Sequence, residues 1–101
     1  MKLADAIQYA TDRLVSEYGY NTEAGHGFWY VWKDEQKGKA TNSDGFTYMR
    51  HGVVVKLDDM TVVVRAVADN GLNAGEARLT GFAAVSVELI AGAIETALES
   101  I

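Results

Sequence analysis

Two valine-rich runs separated by a pair of aspartates constrain this chain more than any other stretch. Residues 53–57 and 60–67 have the β-branched composition of strands, and Asp58 and Asp59 between them have the polar character of a two-residue turn. Aspartate also tolerates the positive φ that such turns require. The sequence therefore predicts a β-hairpin with these two residues at its tip.

In the predicted hairpin Leu57 pairs with Met60, and this register determines which side chains lie on each of the two faces. Because side chains alternate along a strand, one face is apolar and is predicted to form the core; it comprises Val53, Val55, Leu57, Met60, Val62 and Val64. The other face carries Lys56 and Arg65 around an apolar middle. That face is either solvated, with its cations protecting the strands from association, or a binding surface.

Length and composition indicate one folded domain over residues 1–101, since 49% of the residues are hydrophobic. There is no apolar run long enough to span a bilayer, and the first residues have a helical pattern instead of a signal-peptide core. We therefore expect no membrane association and a cytoplasmic protein, in the host cytoplasm if the source is viral. The absence of cysteine excludes disulfides, thiolate metal sites and a cysteine nucleophile.

The charges are unevenly distributed along the chain. The net charge is −5, which argues against general nucleic-acid binding because such binding depends on neutralising phosphates. Residues 66–101 hold five acids and one base, whereas residues 24–65 hold five acids and six bases. This asymmetry predicts two surfaces of unlike charge.

The N-terminal half is predicted to contain one helix and two strands. Apolar residues recur every three or four positions over residues 3–18, and Gly19 is placed to end this helix. Phe28–Trp32 has the aromatic composition of a strand, and residues 46–50 are predicted to be a further strand. The polar segments 20–27 and 33–45 are predicted to be loops.

A long C-terminal helix is predicted over residues 74–99. Asn73 and Glu76 have the spacing of a helix capping box, Gly81 is a position for a kink or division, and Leu89 is assigned to the contact with the hairpin. The predicted fold is therefore α+β: an N-terminal helix, an antiparallel meander of three or four strands, and a long C-terminal helix packed on one sheet face.

The C-terminal helix has more apolar surface than one sheet face can cover, which predicts a homodimer. Small residues recur on one side of it, where a second helix could approach closely. The predicted contact residues are Gly81, Ala84, Val87, Gly92 and Ile94.

No sequence motif indicates catalysis, and we predict no catalytic residue, metal site or cofactor. The chain lacks a Gly-x-Ser-x-Gly elbow, a phosphate-binding glycine-rich loop and a His-Glu-x-x-His motif. His26 between two glycines is the most enzyme-like feature, since such a loop can expose a group that titrates near neutral pH. A solvated turn explains it more simply, so a small enzyme using His26 is the third reading.

Aromatic and cationic residues instead favour binding. The predicted binding residues are Trp29, Tyr48, Arg50, Lys56 and Arg65. Aromatic rings and arginine dominate protein–protein hot spots, and they can also hold a small anion such as a nucleotide. The sequence favours a non-catalytic acidic protein that binds and blocks or modulates another protein or complex, in the manner of phage or mobile-element inhibitors; an oligomeric binder of a small anionic ligand is the alternative.

Overall fold

The computed structural model describes the backbone of residues 1–101 and the side chains of all of them except residue 70. The helices and strands, in chain order, are α1 (Leu3–Tyr18), β1 (Asn21–Ala24), β2 (Phe28–Trp32), β3 (Gly38–Thr41), β4 (Thr47–Asp58), β5 (Thr61–Ala68), β6 (Leu72–Leu79) and α2 (Val87–Glu99). Short 3₁₀ turns lie at Asp69–Gly71 and Gly81–Val85. The predicted α+β class is confirmed, with six strands in place of three or four.

The sheet is built around β4. Its order is β1-β2-β4-β5-β6, with every neighbouring pair antiparallel. Strand β3 also pairs with β4, along its first half, while β2 pairs with the second half. The junction falls at Gly52, where a Cβ atom would lie 2.5 Å from the backbone oxygen of Val31. Only glycine permits this close approach between β4 and β2.

The β4–β5 hairpin is confirmed, with its turn one residue later than predicted. Asp58 pairs with Thr61, so the turn residues are Asp59 and Met60, and Asp59 takes the positive φ of 57°. The register shifts by two residues, because Val55 pairs with Val64 instead of Val62. An even shift keeps every side chain of the paired residues on its predicted face.

Both helices pack on the face of the sheet that carries the hairpin valines. The predicted core residues Val53, Val55, Val62 and Val64 are buried there, together with Ile7 and Leu14 of α1 and Ile90 and Ile94 of α2. The prediction for Met60 is wrong: it lies in the turn and is exposed. No buried side-chain nitrogen or oxygen among the described side chains lacks a hydrogen-bond partner.

Helix α1 has the predicted bounds. Gly19 ends it with a φ of 69°, and its N–H donates to the carbonyl of Val15. The helix is held on β2 by a hydrogen bond from the indole N–H of Trp29 to Gln8 Oε1, at 2.9 Å. Across the described residues, neither α1 nor α2 has the length and apolarity needed to cross a bilayer.

The loops predicted at 20–27 and 33–45 each contain a strand. Strand β1 pairs with β2, and β3 pairs with β4. Both are four residues long, and in neither do buried and exposed residues alternate. Their strand conformation depends on backbone pairing with a neighbour, which has no signature in a short polar segment.

The predicted helix start at residue 74 is wrong, because residues 72–79 form β6. Asn73 Oδ1 accepts from the N–H of Gly75 instead of capping a helix, and Glu76 binds Arg65 on the neighbouring strand. Helix α2 begins at Val87, and its N-cap is Ser86, whose hydroxyl accepts from the N–H of Leu89.

The later start changes which side of α2 meets the sheet. Ile90, Ile94 and Leu98 are buried, whereas Leu89 is 48% exposed. The assignment of Leu89 to the core is therefore wrong, because the predicted phase assumed one continuous helix through residues 81–86.

We expect Ile94→Ala to lower the free energy of unfolding by about 2–5 kcal/mol, because it removes a fully buried side chain and leaves a cavity. The matched change Leu89→Ala removes a half-exposed side chain from the same helix and should cost less than about 1 kcal/mol. Urea unfolding in dilute solution measures both. A larger loss for Leu89→Ala than for Ile94→Ala would contradict this orientation of α2.

Candidate binding surfaces

The face of the sheet turned away from the helices, here called the open face, has a small core of its own. Met49, Val54 and Val67 are buried there, and the half-buried rings of Tyr30 and Trp32 pack against them. Alternation along β2 places Tyr30 and Trp32 opposite the main core, and alternation along β4 does the same for Val54. Met49 joins them although it lies an odd number of residues from Val54, because the β3–β4 register shifts between Gly38 and Lys39 and interrupts the alternation at Arg50. The open face is thus partly apolar and largely covered by its own side chains.

A shallow depression of about 250 Å³ lies on the open face. Met49, Val54 and Val67 line it, and side chains of β2, β4 and β5 stand around them. Those surrounding groups include Tyr30, Tyr48, Lys56 and Arg65. An apolar floor with aromatic and cationic groups at its margin can hold an apolar side chain and a nearby carboxylate.

The structure brings three of the five predicted binding residues together. Tyr48, Lys56 and Arg65 line the depression. Trp29 does not join them, because it faces the helices, is only 5% exposed and has its indole N–H bonded to Gln8. Arg50 is exposed on β4 and lies outside the depression.

Arg65 is held by a carboxylate on the neighbouring strand. Its Nε and one terminal nitrogen lie 3.3 Å and 3.1 Å from Glu76 Oε1, and Arg78 Nε lies 3.2 Å from Glu76 Oε2. The hydrogen bond from Arg65, supported by Arg78, lowers the pKa of Glu76 below its ordinary value of 4.5. Part of the positive charge on these two arginines is therefore neutralised within the chain.

Lys56 is different, because it makes no ion pair with any described side chain. Its strand neighbour Val63 is nearly fully buried although it lies on the open face. Val63 sits between Lys56 and Arg78, whose aliphatic stems can cover it while their charged ends remain in water. Lys56 thus presents an uncompensated charge beside the depression.

A second concave surface, here called the α2–β6 groove, runs between helix α2 and strand β6. It has a volume of about 460 Å³, and its apolar lining includes Val64, Ala66, Leu89 and Ala93. The groove exists because α2 lies mainly over β4 and β5 and only partly over the last strand; every residue of β6 except Leu79 is exposed. This groove was not predicted from the sequence, because most of β6 was assigned to the C-terminal helix.

Of the five predicted dimer-contact residues, only Gly92 lines the groove. Ala84 and Ile94 are buried in the core of their own chain, and Val87 is partly buried against that core. Gly81 is exposed within a 3₁₀ turn. The residues were grouped on one side of a continuous helix, and the 3₁₀ turn and Ser86 break that continuity. For Ala84 and Ile94 the prediction is wrong.

The two histidines lie apart. His26 is exposed in the turn between β1 and β2. His51 Nδ1 lies 3.0 Å from Asp69 Oδ1, and Lys37 Nζ lies 3.9 Å from the same oxygen. Within the described side chains, no group of three or more His, Asp or Glu residues is placed to share a metal ion.

No protein-family model, curated protein or solved structure shows significant similarity to this chain.

We expect acid to expose the contribution of the Arg65–Glu76–Arg78 cluster to stability. Because the pKa of Glu76 is lowered in the folded state, its stabilising effect is present above the ordinary pKa of 4.5 and is lost as the pH falls below it. The free energy of unfolding of the wild type should therefore fall more steeply between about pH 5 and pH 3 than that of Glu76→Gln.

Urea unfolding at stepped pH values measures the difference, and Glu88→Gln on the exposed side of α2 controls for the loss of one carboxylate. Equal pH slopes in the wild type and Glu76→Gln would show that the cluster contributes nothing.

Proposed function

We propose that this protein is a non-catalytic binding domain that recognises another protein through its open face. The observation that carries the proposal is the convergence of Tyr30, Tyr48, Lys56 and Arg65 around an apolar-floored depression. Tyrosine and arginine are among the residues that supply most of the binding energy at protein interfaces. These four side chains come from three different strands, so the rigid sheet fixes their relative positions.

The size of the depression favours a protein partner over an enclosed small molecule. Pockets for small ligands typically have volumes of about 300–1,000 Å³ and bury most of the ligand. The depression has about 250 Å³ and is open. It fits one anchoring side chain of a partner that continues across the surrounding surface.

The charges of Lys56 and Arg65 indicate which groups of the partner should lie next to its anchoring side chain. Lys56 carries an uncompensated charge, while Arg65 is already paired with Glu76. A partner could place an apolar or aromatic side chain against the apolar floor of the depression. A carboxylate next to that side chain would pair with Lys56. The acidic residues Glu88 and Glu99 lie on α2, on the opposite side of the molecule, and would orient the open face toward such a partner.

A domain that binds in this way can act by occupying a surface of a larger protein or complex. We therefore extend the proposal to blocking or modulating that target, in the manner of small acidic inhibitors of phages and mobile elements. The proposed compartment is the cytoplasm, as the sequence predicts. The second candidate function is binding of a small anion such as a nucleotide, which the pairing of tyrosine rings with Lys56 and Arg65 favours.

Selection of peptides from a random display library on the immobilised protein tests the proposal. We expect enrichment of sequences that combine an aromatic or aliphatic residue with Asp or Glu. Lys56→Gln should weaken binding of the selected peptides roughly tenfold, because a hydrogen bond to a charged group contributes about 1.5–3 kcal/mol. Glutamine keeps part of the aliphatic stem that can cover Val63, so the fold should be retained.

The matched control is Lys2→Gln, which removes the same charge from an exposed position before α1. Equal binding to the wild type and Lys56→Gln would contradict the proposal. ATP and AMP serve as probes of the second candidate: saturable binding that is lost in Lys56→Gln, without peptide enrichment, would favour the nucleotide.

A further inference from the structure

Strand β6 is a long, uncovered edge of the sheet. It ends the strand order, has eight residues and is exposed along almost its whole length. The opposite edge, β1, has only four residues. Proteins usually protect an exposed edge with a short strand, charged side chains, proline or a β-bulge, because its free N–H and C=O groups can pair with another strand. Strand β6 has neither proline nor lysine, and its register shift, between the pairs Ala66–Gly75 and Val67–Asn73, leaves residues 75–79 in regular register.

The α2–β6 groove lies directly beside this edge. Leu89, Gly92 and Ala93 of α2 contribute to its lining, and Leu89 is 48% exposed. An unpaired backbone edge and an apolar groove therefore form one continuous surface. An occupant that pairs with β6 also covers the groove.

We propose that the occupant is a second copy of this chain. The β6 strands of two copies pair antiparallel about a two-fold axis, which joins the two sheets into one and brings the two grooves face to face. Such an interface uses the same patch twice and closes on itself, as most homodimer interfaces do.

The charges on β6 select the register of this pairing. Glu76 lies opposite Arg65 and Arg78 lies opposite Val63, so both occupy the open face, whereas Ala77 lies opposite the core residue Val64. Residues paired across the axis must occupy the same face. An axis through Ala77 meets this condition and sets each Glu76 opposite Arg78 of the second copy.

The neighbouring registers are less favourable. An axis through Glu76 would set this carboxylate against its own copy, and like charges directly opposite each other are destabilising. An axis through Gly75 would set Glu76 opposite Ala74 and form no charge pair. Thus Glu76 of one copy lies opposite Arg78 of the other copy only when the axis passes through Ala77.

The helices also fit this arrangement. Helix α2 contacts β4, β5 and β6, so it is centred near β5. The two copies of β5 would be three strand spacings apart, about 14 Å. Helices in direct contact are about 8–10 Å apart, so a gap of a few ångströms would remain between the two α2 helices. Leu89 of each copy points into the groove and can fill it.

An axis through Ala77 pairs residues 75–79 of the two copies, and none of these residues lines the depression on the open face, although Asn73 of the same strand does. The dimer touches the depression only through the Arg65–Glu76 contact, so it can be tested separately from the proposed function. An extended segment of a different protein could pair with the same edge, but nothing on β6 specifies its sequence. The self-complementary charges favour a second copy.

Sedimentation of the wild type and cysteine cross-linking test the dimer together. We expect a mass of about twice the 11.0 kDa of one chain in the micromolar range. The chain has no cysteine, so Ala77→Cys introduces a single thiol, which should form an intermolecular disulfide on oxidation because its two copies meet at the axis. Ala74→Cys is also exposed on β6, but its two copies would lie about 20 Å apart and should stay uncrosslinked.

If the wild type has the mass of one chain throughout the micromolar range, the proposal is overturned. This measurement uses no variant, so it does not depend on whether a substituted chain folds. Cross-linking of Ala74→Cys without cross-linking of Ala77→Cys would also overturn it, since the axis would then lie elsewhere.

Charge reversal tests the register independently. Arg78→Glu should weaken the dimer roughly tenfold, because two attractive pairs become repulsive. Arg13→Glu is the matched control: it reverses a charge and breaks the ion pair with Glu17 on α1, away from β6, and should leave the dimer constant unchanged. Equal dimer constants for the two variants would overturn the proposed register.

Discussion

Backbone pairing along both edges of β4 is the constraint on which the rest of the structure depends. One edge binds β5 over seven residue pairs, from Gly52–Val67 to Asp58–Thr61, and the other edge is divided between β2 and β3. Strand β2 covers only the second half of that edge, so β3, a short strand with little strand character of its own, pairs with the first half. The register of β4 then decides which side chains meet the helices and which form the open face.

The two faces of this sheet differ in what covers them. Two helices bury the hairpin valines on one face, while aromatic rings pack on the other face, where Val63 lies between Lys56 and Arg78. Because its own side chains cover the open face, that face has only a shallow depression with charged groups at its margin. A depression of this kind is suited to binding the surface of another protein. Coverage by helices is incomplete over β6, which leaves an apolar groove beside a strand edge. The proposed partner surface and the proposed dimer surface therefore follow from two different ways of covering one sheet.

The sequence predicted the elements whose periodicity is set by burial on one side. Helix α1 and the β4–β5 hairpin have strong patterns because an amphipathic helix and a half-buried strand repeat their apolar residues regularly. Strands β1 and β3 carry no such pattern, since their conformation comes from hydrogen bonds to neighbours distant in the sequence. Strand β6 misled the prediction, because Asn73 and Glu76 have capping-box spacing while their side chains serve a turn-like backbone contact and a cross-strand ion pair.

The candidate site was predictable to the extent that its residues share the β4–β5 hairpin. Lys56 and Arg65 were placed on one face by alternation alone, and an error of two residues in the register left that placement intact. Trp29 was grouped with them because it is aromatic and near in sequence, although alternation with Tyr30 puts it on the opposite face. The groove could not be predicted, because it depends on how far α2 extends across the sheet.

The order of the strands also has a consequence for how the chain folds. Most neighbours in the sheet are neighbours in sequence or nearly so, which means that their contacts close short loops. The contact between α1 and α2 is different, because it joins the first element to the last and closes a loop that spans nearly all the strands. The entropic cost of that closure falls once the intervening residues are already ordered. We therefore expect the strands to assemble first and the pairing of the two helices to complete the core afterwards.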